Sequence, residues 1–331
     1  MMIGWPMRFC DAPKDGWENI MMEPSKCCAV LTNLGRGEYV TVRPLEEILA
    51  TLDADAKRDG LPFMPEMVPY CGKSFRVFRR AEKTCVEGLG MRSLQRQQDH
   101  CNVVLLEGLR CDGSAHDGCQ RGCLFFWNEA WLKKAEEKQP EGRVSSNAAN
   151  GSLPTTKGDR YYCQSTELAS ASGEWARGKL QSYLRDLRLG ELSVGRFLFA
   201  IRMALANRLW KLLYGRGFYQ ITGEQKKTAR EELNLQPGEL VEVKSAAEIQ
   251  STLDAKGRNR GLSFEPEMAL HCGRRYRVAS AVNRIIAEET GKMIELTNTV
   301  ILEGVVCEGI CMLNCPRANF LYWRENWLKR V

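Results

Sequence analysis

The sequence predicts a mainly β protein with helices: two tandem copies of a small antiparallel β module, each with one inserted helix, flanking a helical segment. Residues 111–133, CDGSAHDGCQRGCLFFWNEAWLK, return as residues 307–329, CEGICMLNCPRANFLYWRENWLK. One shift, 307 − 111 = 196, pairs Cys111 with Cys307, Cys119 with Cys315, Trp127 with Trp323 and Trp131 with Trp327. Residues 37–77 return as 238–278 at a second constant shift, 272 − 71 = 201, with about half the positions identical. Because 201 − 196 = 5, the first copy carries five extra residues in the connection between these stretches. Finally, the copies read as short alternating runs, whereas the residues between them have helical spacing.

The chain's 331 residues suffice for two domains with real cores, and 44% hydrophobic with 27% charged residues is a globular composition. A formal charge of +6 is mild for this length and does not by itself imply a nucleic-acid partner. The first twenty residues lack a basic start and apolar run, so a cytoplasmic location is expected. In a reducing compartment the 14 cysteines read as metal ligands or reactive groups rather than disulfides. Cys10, Cys27, Cys28 and Cys101 read as small buried hydrophobes.

Residues 1–36 form an N-terminal extension without pattern, and 37–136 are the cysteine-rich first repeat. Tyr39, Val40, Thr41 and Val42 alternate like a strand after a glycine turn. Residues 44–53 read as the inserted helix, with Leu45, Ile48, Leu49 and Leu52 on one face and Pro44 in its first turn. Its counterpart begins after a Ser245 cap. A loop leads to the shared Pro-Glu-Met, 65–67 and 266–268, and a strand opens at Phe75, Arg76 and Val77. In the second copy 275–286 and 292–303 flank a Glu-Glu-Thr-Gly turn. In the first copy that turn is replaced by a polar insertion, 85–100.

The order of these pieces, led by Gly37-Glu38-Tyr39-Val40 and Gly238-Glu239-Leu240-Val241, resembles SH3-like barrels of the nitrile hydratase β and KOW kinds. The resemblance covers each repeat and implies a small five-stranded barrel. The helix and the cysteines are not part of those families' pattern, so only the fold carries over. The whole chain also resembles bacterial cysteine-rich tandem-repeat proteins to which no activity is attached.

Residues 137–160 are a linker by composition, and 161–234 a helical segment leading to the second repeat, 235–331. One helix is expected over 175–189 with Leu180, Tyr183, Leu184 and Leu187 inward, ended by Gly190. A second runs from a Ser193 cap to Tyr214 before Gly215. That helix, 193–214, is apolar on most sides and carries only cations: Arg196, Arg202, Arg208 and Lys211. These charges argue against a transmembrane span and leave two readings, packing between the repeats or peripheral contact with an anionic membrane.

The chemistry lies in the thiols. Zinc in a structural site takes four nitrogen or sulfur ligands. Cys71, Cys111 and Cys119 supply three in the first copy, with Cys123 or His116 as the fourth. Cys272, Cys307 and Cys315 supply three in the second, with Cys311 preferred to His271 as the fourth. Cys85 and Cys163 are surplus thiols that suit a second zinc, an iron–sulfur cluster or a reactive thiol near Arg110 or Arg121. Glu107 and Glu303 are expected to pair with Arg76 and Arg277.

No phosphate-binding glycine loop or Ser-His-Asp spacing is present. The first functional reading is therefore a zinc-binding accessory protein with a protein partner. An iron–sulfur or zinc-dependent enzyme or redox protein with its site in the first repeat is the second. The third is a nucleic-acid binder, using the aromatic endings and the basic runs 73–80 and 256–260.

Overall fold

The computed structural model describes residues 34–94, 102–135, 153–215, 221–226, 231–310 and 312–331. Nearly all of the extension, most of the linker, and Cys10, Cys27, Cys28, Cys101 and Cys311 lie outside the described residues. In the first copy five strands make one antiparallel sheet in the order Leu124–Asn128, Val103–Arg110, Ser74–Arg80, Tyr39–Val42, Leu132–Ala135. The second copy repeats it with Trp323–Arg324, Thr299–Leu302, Arg275–Ala281, Leu240–Val243 and Leu328–Arg330. The opening strand sits between the second and the last: Val40 faces Phe75 and Lys134, and Val241 faces Tyr276 and Arg330. Its period-two pattern explains why Val40 and Val42 are fully buried while Tyr39 and Thr41 are not.

Both sheets bend at the same place. The register slips between Val77 and Arg79 in one copy and between Val278 and Ser280 in the other, positions related by the 201 shift. A bulge of this kind bends a strand and re-aims its side chains. In the first copy it turns Arg79 and Arg80 inward, each 8% exposed. Arg80 meets Glu129 at 2.9 Å, and Arg79 meets Glu191 at 3.4 Å.

The inserted helix α1 (Leu45–Leu49) is shorter than expected, with Pro44 at its N-cap; its last residues tighten into i→i−3 bonds. In the second copy Ser245 caps Ala246–Gln250 as expected. The Pro-Glu-Met loops are 3-10 helices, Pro65–Tyr70 and Pro266–His271. Each closing tryptophan is a fully buried anchor. Trp131 Nε1 donates to Thr51 Oγ1 at 3.1 Å and Trp327 Nε1 to Thr252 Oγ1 at 3.0 Å. Phe63 and Phe264 stand edge-on to them at 5.3 Å. The four tryptophans, Phe125 and Phe126 are thus core, while Phe320 and Tyr322 are partly buried.

The hairpin expected only in the second copy exists in both. Lys83–Val86 pairs with Gly90–Ser93, and Arg284–Ile286 with Met293–Glu295. The first copy's extra residues therefore follow this hairpin, and 95–101 lie outside the described residues.

Between the repeats, the end of the expected linker is built in: Leu153 is buried and Thr156–Lys157 pairs with Arg160–Tyr161. Helix α2 (Gln164–Ala171) then covers an edge of the first sheet. Its Gln164 amide accepts from Phe126 N at 2.9 Å and donates to Phe126 O at 2.8 Å, imitating a neighbouring strand.

Helix α3 (Lys179–Arg188) buries the face opposite to the one its leucines predict. Ser182 and Asp186 are inside, while Leu180 is 61% and Leu184 37% exposed. The reason is electrostatic. Lys83 is buried in the first repeat and needs a carboxylate, which Asp186 supplies at 2.7 Å; Arg185 grips Glu82 with two bonds, at 2.6 and 2.8 Å.

Helix α4 (Val194–Tyr214) begins at Ser193, whose hydroxyl accepts from Arg196 N, and ends at Gly215 in the left-handed region. It does not pack between the repeats: Leu198, Leu205, Leu209 and Leu212 are all more than half exposed.

Candidate functional site at the seam of the repeats

The two hairpins and the two cysteine loops meet at a seam with approximate two-fold symmetry. Cys315 Sγ accepts from Cys85 N at 3.2 Å, and Cys119 Sγ accepts from Ile286 N at 3.3 Å. These contacts are equivalent, since 119 + 196 = 315 and 85 + 201 = 286. Likewise Arg317 Nη1 donates to Cys85 O at 2.7 Å and Arg121 Nη1 to Ile286 O at 3.0 Å. On the axis, Glu87 N donates to Glu288 Oε1 at 3.0 Å and Glu288 N to Glu87 Oε2 at 3.3 Å. Each copy's loop cysteine therefore serves the other copy's hairpin.

Glu288 is the hub. It is 3% exposed and accepts from Arg317 Nη2 at 2.7 Å, Arg121 Nη2 at 3.3 Å and Ser165 Oγ at 2.9 Å. Burial pushes its carboxyl up, but the Arg317 guanidinium, helped by Arg121, outweighs this and holds it below the usual carboxylate value.

Beside this hub lies the one thiol–thiol hydrogen bond among the described residues, Cys315 Sγ to Cys85 Sγ at 3.4 Å. The Cys85 thiol is the strongest influence on Cys315; against burial, and with the Arg317 backbone and charge beside it, it holds Cys315 below the ordinary thiol value. Cys85 is driven upward, first by that shared bond and then by burial. The two thiols titrate as a pair, the bond between their sulfurs favouring loss of one proton and retention of the other. The loop that carries Cys315 is held by Arg79 Nη2 on Asn314 O at 3.0 Å and by Asn314 Nδ2 on Asp186 at 2.7 Å.

The expected ligand sets do not assemble as sequence equivalence suggests. Cys71 is buried in the first copy's core with Cys111 against its edge, whereas Cys119 packs with Val282, Ile285 and Ile286 of the second copy. Cys272 and Cys307 border the second copy's core, while Cys315 meets Cys85, which is itself close enough to Cys307 to raise that thiol. Cys311 lies outside the described residues. His116 offers no lone pair to a metal: Nδ1 meets Glu66 Oε1 at 2.6 Å and Nε2 meets Tyr162 O at 3.0 Å. Burial opposes its proton, but the bonds to Glu66 and Tyr162 outweigh burial and raise its pKa. His271 is bonded to Tyr276 Oη at 2.7 Å.

What the structure does gather is a different set. Cys111, Cys119, Cys123, Cys163 and His116 line one cavity of about 30 Å³. Among the described residues no three of these or other His, Cys, Asp or Glu groups stand in metal-holding geometry.

Two functional carboxylates escaped the sequence reading, although the repeated Pro-Glu-Met marks both. Glu66 accepts from Ala115 N at 3.2 Å, and Glu267 accepts from Glu308 N at 2.9 Å and meets Cys307 Sγ at 3.1 Å. Each pins a cysteine loop to its own repeat. Glu107 lies 4.0 Å from Arg76 as expected; Arg277 instead donates to Gly238 O at 2.8 Å. No family model, curated protein or solved structure matches this chain.

Proposed function

We propose that the protein is a two-module accessory protein whose joint is a thiol redox centre formed by Cys315 and Cys85. The 3.4 Å contact between their sulfurs carries this reading. The modules are read as SH3-like: a long first loop, three meandering strands and a last strand beside the first support it. Cys315, as thiolate, is the nucleophile and Cys85 the resolving thiol. With a hydroperoxide, ROOH, the Cys315 sulfur takes one oxygen and becomes a sulfenic acid, and ROH leaves after protonation. Cys85 then attacks that sulfur, the S–S bond forms, and the hydroxyl leaves as water once it gains the Cys85 proton. Two thiols and ROOH have become a disulfide, ROH and water. The bond links the first repeat's hairpin to the second repeat's loop and locks the seam.

Oxidation of the reduced chain with stoichiometric hydrogen peroxide tests this. The wild type is expected to lose two thiols without a lasting sulfenic acid, and Cys85→Ala to accumulate a dimedone-trappable sulfenic acid at Cys315. A Cys85→Ala variant that behaves like the wild type would overturn the pairing.

One observation favours a second reading, a zinc site in the first repeat. Glu66 Oε2 is buried without a hydrogen-bond partner among the described residues, close enough to Cys111 for its charge to raise that thiol. Cys111, Cys123, Cys163 and Glu66 do not stand in metal-holding geometry as they are; zinc that drew them together would satisfy it and supply a structural cross-link between the sheet and α2. Equilibrium dialysis should give one zinc per chain, lost in Cys163→Ala. Equal zinc content in that variant would refute the site.

A further inference from the structure

Helix α4 presents an apolar stripe that nothing in the described protein covers. Val194, Leu198, Ile201, Leu205, Leu209 and Leu212 are between 36% and 77% exposed. At about 100° per residue they fall within an arc of about 80°, a continuous line along a helix roughly 31 Å long. Arg202 and Arg208 stand on the two borders of the arc, and the 21 residues contain no Asp or Glu. The root of the helix is fixed to the second repeat, where Arg196 meets Glu308 at 2.8 Å. Among the described residues no helix is long and apolar enough to cross a membrane.

The charge pattern selects the occupant. A second copy of α4 would bring its own Arg202 and Arg208 against these, with no carboxylate on either helix to answer them. A bilayer surface bearing anionic headgroups supplies phosphates at both borders and acyl chains beneath the ridge. Arginine stems can lie along the apolar arc while their guanidinium groups reach upward to phosphate.

We propose that α4 docks the protein, lying flat, on an anionic lipid bilayer surface. Sedimentation of the full chain with vesicles of equal parts phosphatidylglycerol and phosphatidylcholine, against phosphatidylcholine alone, tests it. Binding is expected on the anionic vesicles, at least tenfold weaker on the neutral ones, and weakened by salt. Arg202→Gln with Arg208→Gln should weaken anionic binding roughly 25-fold, at about fivefold per cation. Leu205→Glu with Leu209→Glu should abolish it while circular dichroism stays unchanged, since both positions are exposed. Three results would overturn the proposal: no binding to anionic vesicles at low salt, binding that survives the leucine substitutions, or a stable dimer that those substitutions dissociate.

Discussion

Cys315 rests its sulfur on the Cys85 amide and meets a second thiol there; Cys119 rests on the Ile286 amide and meets a branched alkyl group. The backbone frame is the same at both seats, and so is the arginine that clamps the hairpin carbonyl. The neighbour is Cys85 at one seat and Ile286 at the other, where Cys123 also acts on Cys119. With Cys85 as neighbour the buried Cys315 thiol is lowered, whereas burial alone dominates at Cys119 and raises it. A duplicated frame thus supplies position, and the unduplicated Cys85 supplies the thiol contact.

The largest effect is expected where the two seats share a group. Glu288→Leu leaves Arg317, whose side chain is 4% exposed, buried without a carboxylate, and leaves Arg121 with only Glu87 at 3.4 Å. Loss of one partner of a buried pair costs roughly 3–5 kcal/mol, read as a lower urea midpoint. Arg121→Leu should cost less, because Glu288 keeps Arg317 and Ser165.

Next in size is the oxidised bond itself. Closing the chain between residues 85 and 315 should stabilise the oxidised protein by roughly 2–4 kcal/mol over the reduced form. Calorimetry with and without reductant reads this difference, and Cys85→Ala should erase it.

The comparison is sharpened by making the second seat like the first. Ile286→Cys places a thiol against Cys119, and peroxide should then consume four thiols per chain instead of two. If only two are consumed, the amide contact at Cys119 does not carry the same alignment.

The smallest effect is a pH dependence in the first repeat. The folded His116 pKa lies above its ordinary value of 6.5 because of Glu66 and Tyr162, which outweigh burial. Its contribution is complete below pH 6.5 and disappears as pH rises through the folded pKa. Unfolding in urea between pH 6 and pH 9 should show that loss, and His116→Gln should flatten it.

Much of this architecture is legible in the chain. The duplication, the five-stranded sheet of each copy and the Ser193 and Ser245 caps follow from echo, alternation and capping residues. The seam does not. Equivalence between copies suggested that Cys71, Cys111 and Cys119 gather within one repeat; Cys111 and Cys119 do line one cavity, but the two-fold also sets the Cys119 and Cys315 sulfurs on the other copy's hairpin. The inward face of α3 was hidden for a related reason. Apolar spacing favours Leu180 and Leu184, but the buried Lys83 of a distant strand draws in Asp186. Long-range charge pairing of this kind leaves no local period.

The most direct test is peptide mapping of the wild-type chain after limited peroxide oxidation. The account predicts one cross-linked peptide joining Cys85 to Cys315, with Cys119 recovered as a free thiol. Oxidation of Cys119, Cys123 or Cys163 while Cys85 and Cys315 remain reduced would contradict it.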